Sequence, residues 1–557
     1  MTEILFKEHL NPTQMELVQH AINQSKLTNF HGLCLNMPMG AGKTRTMAII
    51  GANIYRQYLI ICSKTLIANW VAEFQKIFPV GAGTGGQHAP QPQYEIAHRD
   101  YIGKRIDNWK PGVNTRIVIT TPEMVSRSYR NNNIESRFVT QEEGFHKTLH
   151  YNVPRRPLGS PHETGPEFLH GNMWEGIVID EAHNYTNIKS VTCRAISSLC
   201  CKHRWLLTGT ILQEPKIERV LGFFLLLNQT RLDCMPHCRE WIHSREFPGF
   251  KSYSLSCEPP VIDTELAEHA EIYEMTRPER NCYMLFRDVI EKWNRYYQEE
   301  RAVRPGNDPN LRLIRGHLMS LMTYLRLSLV SPRKGLNMLL EKIETEPVLA
   351  RLSEKISYIK DLLEHQPTIS SRLVRVRRIV QQHPDRRILV FGSFSSTLET
   401  TMDYLNTRTA PANGENRQFF LLNSKMSASQ REQSLNGFRK SENGVLFMTY
   451  QIGSEGLNLQ EASVVVYLDL FWNQGKQQQA LARSYRTGQT AEKVDCYLIV
   501  SNTGFEKALL VKQREKLEII RGLNEGDIGA MKVTGMSYMD MVDILRMEEI
   551  EEEIEAR

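Results

Sequence analysis

The sequence of 557 residues has no apolar run long enough for a membrane span. The longest candidate, VLGFFLLL at 220–227, is far shorter than the roughly 18 residues that such a span needs. The N-terminus MTEILFKEHL carries early acids and no cleavable apolar segment, and the ten cysteines form no paired framework. These absences argue against membrane proteins and secreted disulfide-rich proteins, and they favour a reducing compartment.

The net charge of +5 is unevenly distributed along the chain. The last eleven residues, MEEIEEEIEAR, hold six Glu and one Arg, a net charge of −5, so the residues before them carry +10. Such an excess of positive charge is compatible with a polyanionic partner, although charge alone identifies none. The acidic end is interpreted as a solvated helix or tail.

Short apolar runs rich in β-branched residues recur in two parts of the chain, each followed by a helical pattern. They are GLCLN, YLIICS, RIVITT, GIVID and RWLLTGT in the first third, and RRILVFGSF, QFFLLNS, GVLFMTY, SVVVYLDL and VDCYLIVS in the last third. Continuous apolar strands alternating with helices predict parallel sheets covered on both faces, and hence two α/β domains. Residues 215–370 show helical periodicity and no convincing strand. We therefore expect α/β domains over 1–225 and 371–515, a helical insertion over 226–370 and an extension over 516–557.

Residues 36–44, NMPMGAGKT, form a glycine-rich turn between a predicted strand and a predicted helix. Gly40 and Gly42 allow backbone N–H groups to face phosphate oxygens, Lys43 supplies a positive charge, and Thr44 offers a hydroxyl to magnesium. The candidate phosphate-binding residues are Met37, Pro38, Met39, Gly40, Ala41, Gly42, Lys43 and Thr44. A structural glycine turn before a helix is the alternative, and Met37 stands where the usual pattern has a glycine.

The strand GIVID runs into Asp180-Glu181-Ala182-His183, 137 residues after Lys43. An acid at the carboxyl end of a buried strand is placed to hold magnesium opposite the phosphate loop. Glu181 can then orient or deprotonate the attacking water. The alternative is a helix N-terminus, whose dipole favours acids. Thr208-Gly209-Thr210 ends the next predicted strand. We expect this segment to lie beside Asp180 and Glu181 and to respond to changes at these two acids.

The segment QALARSYRTGQT at 479–490 supplies two candidate catalytic cations. Arg483 and Arg486 are three residues apart and are predicted to share one helix face. In a two-domain NTPase their use is to neutralise the charge that develops on the γ-phosphate. The alternative is an exposed basic helix.

These motifs and several others occur in the order found in the Swi/Snf-type ATPases of helicase superfamily two, which the chain resembles from about residue 10 to 515. The additional segments are NPTQ, LIICSKTLIANWVAEFQK, VITTPEM, MSASQREQSLNGF, IGSEGLNLQEA and LDLFWN. The resemblance implies an α/β fold of two RecA-like parallel-sheet lobes with an α-helical insertion between them. It also implies that Gln14 reads adenine and that Gly456 belongs to the nucleotide site.

The same resemblance implies an ATP- and Mg²⁺-dependent translocase on double-stranded DNA that remodels chromatin or displaces DNA-bound proteins, with a possible part in transcription regulation. It contacts the DNA backbone without sequence preference, has no membrane partner and is expected in the nucleus. Two alternatives stay open: a strand-separating DNA or RNA helicase, and a non-catalytic DNA-binding transcription regulator. A non-catalytic regulator would have no need of Lys43, Asp180, Glu181, Arg483 and Arg486. All five are intact, which argues against that alternative.

The sequence also departs from the family pattern. Met37-Pro38 replaces an acidic pair, and Ser454 replaces a glycine, but no group needed for phosphoryl transfer is lost. Without recognisable reader domains, the chain resembles compact, viral global transactivator-like members.

Two other groups of residues could either contact nucleic acid or have a purely structural role. Arg372, Arg375 and Arg378 lie on one predicted helix face, which either contacts phosphates or is solvated. Trp293, Tyr296 and Tyr297, which lie beside Arg295, are interpreted as helix-packing residues rather than a platform for base stacking.

Overall fold

The computed structural model describes residues 4–38, 40–78, 93–103, 109, 111–112, 114–132, 138–143, 146–151, 168–212, 216–227, 235–244, 247–258, 262–305, 308–366, 369–408, 417–453 and 457–525. Met39, Gly456 and the acidic end of the chain lie outside these residues. The described residues fall into two compact units: those up to 258 together with 516–525, and those from 262 to 515.

The described residues of the first unit contain nine strands. They are β1 (Gly32–Asn36), β2 (Tyr58–Ile61), β3 (Gln93–Ala97), β4 (Thr115–Thr120), β5 (Phe138–Glu143), β6 (His146–Tyr151), β7 (Met173–Asp180), β8 (Cys200–Thr208) and β9 (Ser254–Ser256). Seven of them form a parallel sheet in the order β3-β4-β2-β7-β8-β1-β9, and β5 pairs with β6 in a separate antiparallel hairpin.

Helices cover both faces of this sheet. They are α1 (Pro12–Gln24), α2 (Lys43–Ile54), α3 (Lys64–Ile77), α4 (Arg99–Ile102), α5 (Pro122–Asn131), α6 (Phe168–Gly171), α7 (Val191–Ser197), α8 (Ile217–Leu226) and α9 (Met235–His243). Successive strand residues point to opposite faces. Ile60 therefore packs in the core under α1, α2 and α3, while Ile61 packs in the core under α5, α7 and α8. Burial on both faces explains why the strands read as unbroken apolar runs.

The second unit repeats this plan with six strands. They are β10 (Glu265–Tyr273), β11 (Ile388–Gly392), β12 (Phe419–Leu422), β13 (Val445–Thr449), β14 (Val464–Tyr467) and β15 (Lys493–Ser501). All pair in parallel in the order β10-β15-β14-β11-β13-β12. The prediction of two parallel α/β sheets is therefore confirmed.

Ten further helices complete the described chain. They are α10 (Arg277–Val303), α11 (Pro309–Val330), α12 (Pro332–Thr345), α13 (Ile356–His365), α14 (Ser371–Gln382), α15 (Ser395–Arg408), α16 (Ala428–Lys440), α17 (Tyr450–Gly453), α18 (Gln474–Leu481) and α19 (Gly504–Glu525). A capping box between Thr276 and Glu279 starts α10. Trp293 is 2% exposed and donates its indole N–H to the Ile314 carbonyl over 3.0 Å, which confirms its packing role.

The prediction that residues 215–370 contain no strand is wrong, because β9 and β10 lie there. β9 has only three residues, too few for a periodic signal. β10 is an edge strand of the second sheet, and its sequence ELAEHAEIY places charged residues among apolar ones, with only Tyr273 buried. Edge strands commonly carry such charges, and they therefore lack the apolar run that identified the other strands.

Arg372 neither faces solvent nor is available to a phosphate, so both interpretations of it are wrong. It is fully buried, and its guanidinium lies 2.5 Å from the Glu506 carboxylate. It also donates to the Tyr273 hydroxyl over 2.9 Å and to the Leu468 carbonyl over 2.8 Å. A buried guanidinium with this many partners fixes α14 against the sheet.

None of the helices in the described ranges is long and apolar enough to cross a membrane.

Candidate functional site

Three strand ends bring the predicted phosphate loop, acid pair and Thr208 segment together. β7, β8 and β1 are neighbours in a parallel sheet, so their carboxyl ends meet at one edge. The register pairs Asp180 with Leu207, and Asn36 with Thr208. Met37, the residue after β1, donates its N–H to the Thr208 carbonyl over 3.1 Å. The first unit thus collects all three motifs at one edge of its sheet.

The glycine-rich turn adopts a backbone that glycine alone accepts readily. Gly40 and Gly42 have φ angles of 82° and 83°. The Lys43 ammonium donates to the Met37 carbonyl over 3.0 Å and to the Pro38 carbonyl over 3.3 Å. The lysine charge therefore lies against the turn that leads into α2.

The start of α2 has the donors that a phosphate group requires. Gly42 is its N-cap, and no side chain of the described residues caps it. The Thr46 N–H donates to the Gly42 carbonyl. The N–H groups before it, including that of Thr44, have no intrahelical acceptor because they belong to the first turn. Uncapped N–H groups beside a lysine suit an anion.

Gln14 contacts the phosphate loop directly. It is the N3 residue of α1, where it forms a capping box with Asn11. Its amide N–H donates to the Ala41 carbonyl over 2.8 Å. A Cβ at Gly42 would lie 2.4 Å from the Gln14 amide nitrogen, so any larger residue there would displace the Gln14 side chain. The adenine-reading role of Gln14 stays a prediction, whereas its contact with the loop is observed.

Asp180 is buried, and its carboxylate is held on both oxygens. The Trp70 indole N–H donates to Oδ2 and the Glu181 backbone N–H donates to Oδ1, each over 2.9 Å. Burial, with help from the nearby Glu181 carboxylate, raises the pKa of Asp180 to about 7. Sequence reasoning missed Trp70, because nothing in its own helix indicates that it reaches an acid 110 residues away.

His183 joins the acid pair to the Thr208 segment. Its Nδ1 lies 2.7 Å from the Thr208 hydroxyl and 3.5 Å from a Glu181 carboxylate oxygen. The Thr208 hydroxyl also bonds to the Thr210 carbonyl over 2.7 Å. Glu181 has a φ of 48°, an unusual value for a residue with a side chain. The backbone therefore turns sharply at Glu181, between the end of β7 and His183.

The residues present at this edge suit a magnesium–nucleotide complex. Asp180 and Thr44 offer the hard oxygen ligands that Mg²⁺ prefers. Each oxygen of Asp180 accepts one hydrogen bond and keeps a lone pair. No group of three or more His, Cys, Asp or Glu side chains gathers around a metal position within the described ranges. Mg²⁺ commonly binds through one or two carboxylates, water and substrate phosphates, so such a group is not required.

The predicted helix face shared by Arg483 and Arg486 is wrong. α18 ends at Leu481, and both arginines lie in turns beyond it. The Gln489 side chain folds back onto the Ser484 carbonyl over 3.1 Å, and Gly488 has a φ of 92°. The N–H groups of Ser484 and Tyr485 still donate to the Leu481 carbonyl, and the positive φ of Gly488 then ends this turn.

The two arginines differ in environment. Arg483 is 4% exposed, and its Nε donates to the Gly453 carbonyl over 2.5 Å. Arg486 is partly exposed, and within the described residues its buried Nε has no hydrogen-bond partner. Burial lowers the pKa of Arg486. The Arg483 guanidinium is therefore buried within the second unit, and the Arg486 guanidinium is the more accessible of the two.

Comparison with known proteins identifies two domain families in this chain. The model of the SNF2-related domain matches residues 13–286, and that of the helicase conserved C-terminal domain matches residues 371–488. The first match covers the sheet with the phosphate loop, and the second covers most of the other sheet.

Individual relatives are distant in sequence. The "ISWI chromatin-remodeling complex ATPase ISW2" of Saccharomyces cerevisiae is 22% identical over 91% of this chain, which spans 40% of that protein. "Putative helicase 172L" of Invertebrate iridescent virus 6 is 23% identical, over 86% of this chain and 83% of that one. Among solved structures, the "Sulfolobus solfataricus SWI2/SNF2 ATPase core in complex with dsDNA" is 16% identical over 96% of both chains, with a TM-score of 0.34.

The chain thus spans less than half the length of its yeast chromatin-remodelling relative, while it covers most of the viral one. Both matched domains lie on one chain in the order that the sequence motifs predicted. The protein belongs to the Swi/Snf-type ATPases of helicase superfamily two.

Proposed function

We propose that the protein is an ATP-dependent translocase on double-stranded DNA that remodels chromatin or displaces other DNA-bound proteins. The observation that carries the proposal is the single sheet edge holding Lys43, Asp180 and Thr208. This arrangement supports ATP hydrolysis. The DNA substrate is supported by the relatives, whose names include chromatin-remodelling ATPases and a chromodomain-helicase-DNA-binding protein.

The residues of the first unit have distinct roles in this proposal. Lys43 and the N-terminal N–H groups of α2 bind the β- and γ-phosphates. Thr44 and Asp180 hold Mg²⁺, which neutralises charge on the phosphates when bound. Glu181 orients the attacking water and accepts its proton. His183 connects Glu181 with Thr208, so a displacement at either position reaches the other.

In this proposal the second unit supplies the cation for the transition state. Arg486 neutralises the charge that develops on the γ-phosphate, as an arginine finger does. Arg483 holds the segment that presents it, through the Gly453 carbonyl. Contacts with the DNA are made to the phosphate backbone, which is sequence-independent and salt-sensitive. A DNA partner of this kind also leads us to infer a nuclear location and a part in transcription regulation.

Steady-state ATP hydrolysis with and without duplex DNA tests the proposal. We expect duplex DNA to stimulate the wild-type protein, and Lys43→Ala to lose turnover with or without DNA. Lys202→Ala removes a lysine at the surface and is the matched control, which should behave as wild type. Turnover that duplex DNA leaves unchanged would contradict the DNA-dependent function.

A second measurement distinguishes translocation on duplex DNA from separation of its strands. A translocase displaces the third strand of a DNA triplex without separating the duplex, whereas a helicase releases one strand of a forked duplex. We expect triplex displacement that requires ATP and an intact Lys43. Release of a duplex strand would favour the helicase alternative. DNA binding without ATP hydrolysis would favour the non-catalytic regulator.

A further inference from the structure

Helix α3 contacts both parts of the chain that are proposed to hold Mg²⁺. Trp70 donates to the Asp180 carboxylate over 2.9 Å. One turn further along, the Glu73 carboxylate accepts from the Arg45 guanidinium over 3.0 Å. Arg45 directly follows Thr44 in α2. Helix α3 therefore contacts Asp180, the proposed carboxylate ligand, and Arg45, which is the neighbour of the proposed hydroxyl ligand Thr44.

The contact between Trp70 and Asp180 is rigid. Trp70 is fully buried, and its ring packs against Phe74 with 5.7 Å between ring centroids. Both residues belong to the core under α1, α2 and α3, which limits how far the indole can move. Because the N–H of indole has one direction, it fixes where Oδ2 of Asp180 lies. The Glu181 N–H fixes Oδ1, so the plane of the carboxylate is set.

We infer that Trp70 is a positioning residue for the magnesium site: its indole N–H orients the Asp180 carboxylate, and α3 thereby sets the spacing between Asp180 and Thr44. The residue touches neither nucleotide nor metal, and it acts through Asp180. Partners that orient a metal ligand in this way commonly change metal affinity or activity by about 10- to 100-fold when they are removed. The inference rests on the metal-binding role of Asp180 in the proposed function.

The test is Trp70→Phe, which keeps an aromatic ring in the core and removes the N–H donor. A fluorescent ATP analogue is titrated with Mg²⁺ in the absence of DNA, so the readout is binding rather than turnover. We expect Trp70→Phe to need about 10-fold or more Mg²⁺ for half-maximal binding of the nucleotide complex. Binding of the nucleotide in EDTA should match wild type, because the phosphate loop is unchanged.

Phe74→Leu is the matched control, since Phe74 lies in the same core and on the same helix but carries no hydrogen-bond donor in its side chain. It should keep the Mg²⁺ dependence of wild type. If Phe74→Leu and Trp70→Phe shift the Mg²⁺ dependence equally, Trp70 acts through core packing alone and the inference is wrong. Trp70→Leu, a second replacement without the N–H, provides the measurement if Trp70→Phe does not fold.

Asp180→Asn separates this inference from the proposed function. If that variant keeps wild-type Mg²⁺ dependence, Asp180 is not a metal ligand, and both the proposed role and the inference fail. If Asp180→Asn raises the Mg²⁺ requirement while Trp70→Phe does not, only the positioning role of Trp70 fails. DNA stimulation of the wild-type enzyme is measured separately, so its absence would contradict the translocase and leave the Mg²⁺ result intact.

Discussion

Each of the two sheets carries a buried aspartate at a carboxyl strand end, and the two acids are held differently. Asp180 is the last residue of β7 and Asp469 lies two residues beyond β14, and burial raises the pKa of both. Asp180 accepts from an indole and a backbone N–H, and it forms no ion pair within the described residues. Asp469 accepts from the backbone and hydroxyl of Ser393, close to the Arg326 guanidinium that partly offsets the effect of burial.

The guanidinium of Arg326 is itself fixed by the second unit. It donates to the Ser393 hydroxyl over 2.7 Å and to the Leu470 carbonyl over 2.9 Å. It also lies over the ring of Trp472, 4.8 Å from the ring centroid. Arg326 belongs to α11, so this contact attaches the helical insertion to the end of the strand. Asp469 is thus surrounded by groups fixed within the second unit, whereas Asp180 lies near the Lys43 ammonium of the glycine-rich turn and keeps a lone pair on each oxygen for a metal ion.

Substituting each acid separately gives the largest contrast between the two units. We expect Asp180→Asn to lose turnover by about 10³-fold or more, because a misplaced metal ion no longer supplies several kcal/mol to the transition state. Asp469→Asn should keep basal turnover within a few-fold and lower the thermal midpoint. The measurements are steady-state ATP hydrolysis and thermal unfolding. Equal losses of turnover in both variants would remove the distinction between a metal ligand and a structural acid.

The arginines of the second unit give a second contrast. We expect Arg486→Ala to lose DNA-stimulated turnover by about 10³-fold, the amount that an arginine finger supplies, and to bind nucleotide as wild type does. Arg483→Ala should lose turnover and also lower the thermal midpoint, since its guanidinium is buried on the Gly453 carbonyl. Arg439→Ala, at the surface near Glu461, is the control. Full DNA stimulation of Arg486→Ala would move the finger role to Arg483 or remove it altogether.

The sequence was sufficient for the motifs that follow a strand directly. Lys43, Asp180 and Thr208 could be predicted together because each lies just after an apolar run, and parallel strands present such positions at one edge. Trp70 could not be predicted, since its partner is 110 residues away and the contact depends on how α3 packs. The same applies to Arg326, which meets a carbonyl 144 residues further along the chain.

Local turn chemistry explains the wrong helix at Arg483 and Arg486. The spacing of three residues is helical, but the side chain of Gln489 and the backbone of Gly488 stabilise turns instead.

β10 was missed for a different reason. Its position at a sheet edge gives it a mixed polar sequence, and its pairing with β15 involves residues more than 200 positions away.

The smallest expected effect concerns the pH dependence of stability in the first unit. The folded-state pKa of Asp180 is about 7, above the 3.8 of an unperturbed aspartate. Between these values the folded protein binds a proton that the unfolded chain does not. Its stability therefore falls as the pH rises through this window. Three pKa units correspond to at most about 4 kcal/mol, and coupling to Glu181 reduces the share that belongs to Asp180.

Asp180→Asn removes this titration, so the thermal midpoint of the variant should rise relative to wild type by several degrees between pH 5 and pH 8. The comparison is made in EDTA, because a bound cation would stabilise the ionised acid and oppose the trend. An amide at this position also meets two N–H donors, but that cost is the same at each pH and cancels in the difference. Asp100→Asn is the control: Lys64 lowers the pKa of that exposed acid, so its contribution changes only below pH 4. A difference between wild type and Asp180→Asn that stayed constant from pH 5 to 8 would show that Asp180 is already ionised at pH 5. In that case burial does not keep Asp180 protonated, and the pH dependence expected from its raised pKa would be wrong.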